Sequence, residues 1–302
     1  MEPFVHVGLL YSGDTEYLDG TVPYILEGLT LGEPVAVAVP GRNLTLIEDA
    51  LGESAAEVEF IDMTEAGRNP GRILPGVLLA FADNRRGPVR IIGEPIWAGR
   101  SAVEYPACAQ HEALINFAFS GRALSVLCPY DLRSLGEGVL ADAEQTHPLL
   151  SGTGGDRPSA AYAPDSVVDR YNLPLPEPCT VETFRFDLAR LAAVRRFAQT
   201  RAEDSGLGPD RVDDLVLAVA ELSANSVLHG VGQGVVRVWR DEGHVLCEVI
   251  DEGTLSDPLA GRRPAPPGQI GGRGLVLVNQ VADLVRQYRR PGSTVTRVYF
   301  RV

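Results

Sequence analysis

Short apolar runs and helical patterns take turns along the first half of the chain. Phe4–Tyr11, Pro34–Val39, Val58–Ile61, Val89–Ile92 and Leu124–Leu127 are rich in Val, Ile and Leu and largely unalternated, as strands buried on both faces are. Between them, Thr15–Leu31, Asn43–Leu51, Arg72–Asn84 and Glu104–Phe119 carry helical spacing, and a last helix falls near Gly136–Gln145. Strand and helix alternating in this way predict a doubly wound α/β domain over residues 1–155. The pattern then breaks. Gly152, Gly154, Gly155 and prolines 158, 164, 174, 176 and 178 interrupt any periodicity, so 156–180 reads as a Pro/Gly-rich linker that is not an independent fold.

A different order follows over 181–302. Thr183–Leu188 reads as an edge strand and Arg190–Ser205 as an amphipathic helix. From Pro209 to Gly230, Val212, Leu215, Val216, Val219 and Leu222 recur at helical spacing, with proline at the start and glycine just past the end. Gly234–Arg240 and His244–Ile250 alternate around Asp241-Glu-Gly243, a hairpin signature. Val276–Leu284 reads as a helix and Thr294–Val302 as an alternating strand.

A chain of 302 residues accommodates two domains. Residues 1–180 hold 25 Asp and Glu against 11 Arg, a net of −14, and residues 181–302 hold 15 against 16, a net of +1, which sum to the overall −13. An acidic first half argues against nucleic acid as its partner. All 27 basic residues are Arg, for the chain has no Lys. That excludes a Walker A P-loop, a eukaryotic-type protein kinase and Schiff-base chemistry. Any nucleotide phosphates must be held by backbone N–H groups, Arg and a metal. No run approaches the roughly 18 apolar residues a membrane span needs, and Met-Glu-Pro-Phe-Val-His-Val has no signal-peptide character. The four cysteines form no CxxC pair and read as reduced thiols. A cytoplasmic protein is expected.

Candidate chemistry concentrates in the second half. On the 209–230 helix Glu221, Asn225 and His229 fall four apart and share a face about 80° wide. The same face would suit the solvated side of a surface helix. Two further stretches weigh against that reading: Asp251-Glu-Gly253 at the end of a strand, and Gly271-Gly272-Arg273-Gly274-Leu275 opening a helical pattern. Three such motifs in this order resemble the ATP-binding domain shared by gyrase, Hsp90, histidine kinases and MutL, and more closely the anti-sigma-factor serine/threonine kinases of partner switching. The resemblance implies an α+β sandwich, with helices on one face of a mainly antiparallel sheet, and Mg²⁺ and ATP as cofactors.

Its site residues carry over by motif. Asp251 would accept from the adenine amine, Gly253 would let the backbone approach the base, and Thr294 would approach the adenine side. Gly272, Arg273, Gly274 and Leu275 would present N–H donors and charge to the phosphates at a helix start. Asn225 would ligate Mg²⁺ through its side-chain carbonyl, and Glu221 would act as general base. Leu255–Ile270, rich in Pro and Gly, would be a lid. His229 reads as structural, closing the helix end. Two departures stand out: Asp251-Glu-Gly253-Thr-Leu lacks a second Gly, and 165–209 holds no His that could be a phospho-acceptor, so autophosphorylation of the histidine-kinase kind is not expected.

The first half resembles the methanogen/methylotroph DcmR-type sensory (MEDS) domain, through His6-Val-Gly-Leu-Leu-Tyr11-Ser, Glu27-Gly28-Leu29, Glu112-Ala-Leu-Ile-Asn116-Phe and Leu127-Cys-Pro-Tyr130-Asp131. This implies a RecA-like fold without a working P-loop that senses a small molecule. His6 beside Tyr11 would either line a ligand pocket at the sheet's carboxyl edge or sit as a satisfied core histidine. Cys108-x-x-His111, Cys128 and His147 lack metal-site spacing and read as packing groups, and Trp97 reads as packing in a loop.

The combined expectation is a sensor fused to an ATP-dependent kinase that phosphorylates a serine on an anti-sigma-factor antagonist. Sigma-factor binding would be a second role, and relatives of the second domain are often homodimers. The alternative is a ligand-gated ATP-binding or ATPase module that signals by protein contact without kinase activity.

Overall fold

The computed structural model describes residues 4–179, 181–264 and 272–302. The chain divides into two compact units, Met1–Tyr171 and Asn172–Val302.

The first unit is a seven-stranded sheet built from β1 (Val5–Tyr11), β2 (Val35–Val39), β3 (Val58–Asp62), β4 (Val89–Gly93), β5 (Leu124–Asp131), β6 (Leu149–Ser151) and β7 (Arg157–Pro158). The order is β3-β2-β4-β5-β1-β6-β7, and only β7 pairs antiparallel. Between the strands run α1 (Asp14–Thr30), α2 (Gly41–Leu51), α3 (Met63–Ala66), α4 (Pro70–Ile73), α5 (Leu79–Asp83), α6 (Tyr105–Ala118), α7 (Glu137–Thr146) and α8 (Pro164–Arg170). Residues of α1 and α2 cover the sheet face that carries Leu9, Tyr11, Val37 and Leu127. The opposite face, with His6 and Cys128, meets α6 and the end of α7.

Two departures from the sequence expectation have simple causes. The continuous helix expected over 72–84 is broken: α4 passes through a π turn at Leu74–Leu78 before α5. Pro75 has no N–H to return to the carbonyl four residues back, so the ladder widens there. β5 runs four residues beyond Leu127, because Cys128, Pro129 and Tyr130 stay in register with Gly8, Leu9 and Leu10 of β1. Pro129 hides that continuation from a propensity reading.

The stretch expected as linker is structured on both sides. Gln110 Nε2 donates to the Val168 carbonyl at 3.1 Å and Tyr171 donates its hydroxyl to Asp142, fastening α8 to the first unit. Asn172 exchanges two hydrogen bonds with the Arg289 backbone, at 2.7 and 2.8 Å. Arg297 Nη2 then donates to the Pro176 carbonyl at 2.8 Å, and Arg237 Nη1 to Glu177 at 2.7 Å. Residues 172–177 thus form a strap over the outer face of the second sheet. Thr180 lies outside the described residues.

The second unit holds β8 (Glu182–Asp187), β9 (Gln233–Asp241), β10 (His244–Asp251), β11 (Leu284–Arg290) and β12 (Ser293–Arg301), in the antiparallel order β11-β12-β10-β9-β8. Glu242 and Gly243 turn β9 into β10 with φ of 41° and 79°, the two left-handed residues that a type I′ hairpin needs. On one face α9 (Leu191–Asp204), α10 (Pro209–His229) and α11 (Gly274–Val281) bury an apolar core with Val236, Val245, Cys247, Val249, Val298 and Phe300.

The helix expected over 276–284 stops at Val281, and Leu284–Arg290 is strand β11, which the sequence reading lacked. Three of its seven residues are Arg, and Arg286 is buried within it, so its polar and apolar positions never alternate cleanly. No helix among the described residues is long and apolar enough to cross a membrane.

Candidate nucleotide site and a sheet-edge cluster

β10 delivers Asp251 to the end of the antiparallel sheet, directly opposite Thr294 of β12. Its carboxylate is fixed from two sides. Ser226 Oγ on α10 donates to Oδ2 at 2.7 Å, and the Gly253 N–H donates to Oδ1 at 2.7 Å. Thr294 Oγ1 donates to the Gly253 carbonyl at 3.0 Å. A Cβ on Gly253 would lie 2.8 Å from Gly230 Cα, so the two glycines meet backbone to backbone. Helix end, strand end and turn are therefore locked together at Asp251.

Beside Asp251 opens a cleft of about 400 Å³. Asn225, Asp251, Gly253, Gly272, Gly274, Leu275 and Thr294, seven residues singled out from sequence, all line it. Glu221 stands one turn back along α10, where its Oε2 abuts the position a Cβ on Gly274 would take, with Asn225 Nδ2 3.5 Å from that point. Only glycine lets α11 start this close to both side chains. Arg273 is exposed at the N-cap of α11. His229 is exposed and also lines the cleft.

Ser226, Thr296 and Gln287 also line the cleft and carry no site signal in the sequence. Ser226 was hidden as an ordinary helical Ser next to Asn225. Thr296 and Gln287 lie on paired strands, and Gln287 had no signal because β11 itself had none. Of the expected lid, Leu255, Asp257, Leu259, Gly261 and Pro264 line the cleft; residues 265–270 and Gly271 lie outside the described residues.

The chemistry of this donor set fits a nucleotide and its metal. A half-buried carboxylate at the sheet's end suits an exocyclic amine, the Asn225 amide oxygen is a hard ligand of the kind Mg²⁺ takes, and the start of α11 offers N–H groups to anions.

In the first unit a polar cluster sits at the carboxyl edge of the parallel sheet. Glu94, just past β4, accepts from Asn43 Nδ2 at 2.8 Å and from the Tyr17 hydroxyl at 3.4 Å. Burial raises its carboxyl from 4.5 to about 8, against the lowering hydrogen bonds from Asn43 and Tyr17, and Asp131 on β5 adds to the rise. Tyr11 at the end of β1 faces the same group, and burial pushes its phenol well up. Between pH 4.5 and 8 the folded chain holds a proton on Glu94 that the unfolded chain has released. This contribution to stability is present at low pH and lost as pH rises through that window, by up to about 1.4 kcal/mol per pH unit. Urea midpoints at several pH values are expected to show this fall for the wild type and a flatter profile for Glu94→Gln; parallel profiles would refute the assignment.

His6 lies near the start of β1 and is fully buried, away from the carboxyl edge where a sequence reading could place it beside Tyr11. Cys128 and His147, expected as packing groups, converge with His6 and Glu112.

Residues 5–148 match the family model described as MEDS, the methanogen/methylotroph, DcmR sensory domain. Residues 184–301 match that described as the histidine kinase-like ATPase domain. The chain thus carries an N-terminal MEDS domain followed by a C-terminal ATPase domain of the histidine kinase-like family. Among solved structures, the RsbU and RsbW domains of a Mycobacterium tuberculosis protein align at 18% identity and a TM-score of 0.31, covering 41% of this chain and 32% of that one. The Acinetobacter baumannii histidine kinase AdeS aligns at 11% identity and a TM-score of 0.25, covering 78% of this chain and 95% of that one. No curated protein matches the chain.

Proposed function

We propose that the C-terminal domain binds Mg·ATP and phosphorylates a serine on an anti-sigma-factor antagonist, under control of a small molecule sensed by the N-terminal domain. The observation that carries this reading is the cleft in which Asp251, held by Ser226 and Gly253, faces the start of α11 next to Asn225 and Glu221.

Bound ATP would supply the phosphoryl group, and Mg²⁺ would balance its charge. The chain's own groups divide the remaining tasks. Asp251 would accept from the adenine amine, its orientation fixed in advance by two donors so that little order is lost on binding. Asn225 would offer its amide oxygen to the metal. The first-turn N–H groups of α11, with Arg273 at its N-cap, would hold the phosphates, as a chain without Lys requires. Glu221 would take the proton from the attacking serine hydroxyl. An N-terminal fold of doubly wound, RecA-like type would receive the signal at its carboxyl edge, near Tyr11 and Glu94. The second domain would work as a homodimer with sigma-factor binding as a further role.

The test is transfer itself. The full chain is incubated with γ-labelled ATP and the antagonist-type proteins encoded beside its gene. Label on a serine of one of them, lost when that serine becomes Ala, is the expected result. Nucleotide binding without transfer to any of them would overturn the kinase reading in favour of a contact module.

A further inference from the structure

The convergence of His6, Glu112, Cys128 and His147 is unrelated to the nucleotide cleft and lies wholly within the first unit. The four come from four elements, β1, α6, β5 and the turn after α7, and each is 0–1% exposed. One donor atom from each lies within 4.8 Å of the other three.

Hydrogen bonding fixes both imidazoles with their lone pairs turned inward. His6 Nδ1 lies 3.1 Å from Asn116 Oδ1, and Asn116 is itself oriented by donating through Nδ2 to the Thr146 carbonyl at 2.8 Å. The amide oxygen can only accept, so His6 carries its proton on Nδ1. His147 Nδ1 lies 2.8 Å from the Ala143 carbonyl, which likewise can only accept. In its neutral form each ring thus uses its one N–H outward and points a bare Nε2 at the centre. His147 Nε2 is 3.1 Å from Glu112 Oε2, and His6 Nε2 is 3.5 Å from the same oxygen and 3.5 Å from Cys128 Sγ. With its proton on Nδ1, a neutral His147 has none to give Glu112 Oε2 at 3.1 Å, and Glu112 Oε1 has no hydrogen-bond partner among the described residues.

Two nitrogen lone pairs and a carboxylate facing one another in a dry interior repel unless a cation lies among them, and the Cys128 thiol can offer only one weak S–H donor, toward His6 Nε2 at 3.5 Å. Donor atoms of a tetrahedral shell with bonds of about 2.0–2.3 Å are roughly 3.3–3.8 Å apart; three of the separations here are 3.1–3.5 Å and the rest lie within 4.8 Å. Sulfur and imidazole ligands favour zinc-like ions over Mg²⁺ or Ca²⁺. Both histidines already have the outer hydrogen-bond partners that metal-bound imidazoles use to set their tautomer. Room for the fourth ligand is provided by Gly8, opposite Cys128 in the sheet: a Cβ there would press on the His147 ring at 3.2 Å.

We propose that His6 Nε2, Glu112, Cys128 Sγ and His147 Nε2 form a closed, four-ligand zinc site that clamps β1 and β5 to α6 and the α7–β6 turn. The site has no open position, so its role is structural, and its ion enters as the domain folds.

The test grows the full-length protein in minimal medium with cobalt(II) replacing zinc, then reads metal content and absorption. The expected result is a single ion per chain, with tetrahedral d–d bands and a thiolate-to-cobalt charge-transfer band. Cys128→Ser should lose the charge-transfer band, whereas Cys247→Ser, in the other unit, should keep it. Because loss of a buried ligand can prevent folding, Glu112→Gln is the second variant: the purified protein should lose most of its metal while the far-ultraviolet circular dichroism stays native. A folded wild type with no more than trace zinc or cobalt would overturn the proposal. So would a charge-transfer band that survives in Cys128→Ser.

Discussion

Replacing Asn225 by Ala is expected to abolish Mg²⁺-dependent ATP binding by the full chain, whereas Glu221→Ala is expected to bind normally and stop turnover. The two side chains are one helical turn apart and both crowd Gly274, yet the proposed roles separate them cleanly. Asn225 would supply the metal's protein ligand, and the several negative charges of the nucleotide cannot be held near Asp251 and Glu221 without the metal. Glu221 would act only on the attacking hydroxyl, so its removal should cost about 10²–10⁴-fold in transfer and little in affinity. Calorimetric titration with ATP, with and without Mg²⁺, separates the two effects. Equal turnover by wild type and Glu221→Ala would remove Glu221 from the mechanism; binding by Asn225→Ala equal to wild type would remove Asn225 from the metal.

The second large effect lies on the far side of the same sheet. Glu248 and Arg297 form a buried pair, with side chains 2% and 5% exposed, and Arg297 donates to Glu248 Oε2 through Nε at 2.9 Å and Nη2 at 2.6 Å. The guanidinium also lies 4.9 Å from the Trp239 ring. Glu248→Ala leaves this charge without its counter-ion in a site closed to water, and such a loss typically costs about 3–5 kcal/mol. Urea unfolding of the second domain should show that drop, with Glu248→Gln intermediate because the amide oxygen can still accept. A loss under about 1 kcal/mol would mean that water reaches Arg297 readily.

How far these features could be read from the sequence depended on how local their signal was. The β2 run is apolar on both faces, and the α10 stripe of Val212, Leu215, Val219 and Leu222 repeats within one helix, so each announces itself in a few residues. Asn225, Asp251 and Gly274 each sit within a short recognisable motif, and the fold brings them to one cleft. β11 stayed hidden because three of its seven residues are Arg, which break the alternation that marks an ordinary strand. The π turn at Leu74–Leu78 depends on one missing N–H. Ser226 becomes informative only when Asp251 arrives from a strand 25 positions later. The four-residue cluster of the first domain is the extreme case. His6 and His147 lie far apart in sequence and meet because β6 pairs beside β1, a long-range pairing that no spacing rule contains.

The strap over the second sheet sets where this protein can be cut. A fragment beginning at residue 184, where the family match starts, would lack the Pro176 carbonyl that Arg297 uses and the Glu177 carboxylate that Arg237 uses. It would also lack Asn172, which ties down the Arg289 backbone of β11. A fragment beginning at Asn172 keeps all of these. Limited proteolysis should accordingly yield a resistant C-terminal piece that starts near Tyr171, with the strap still attached.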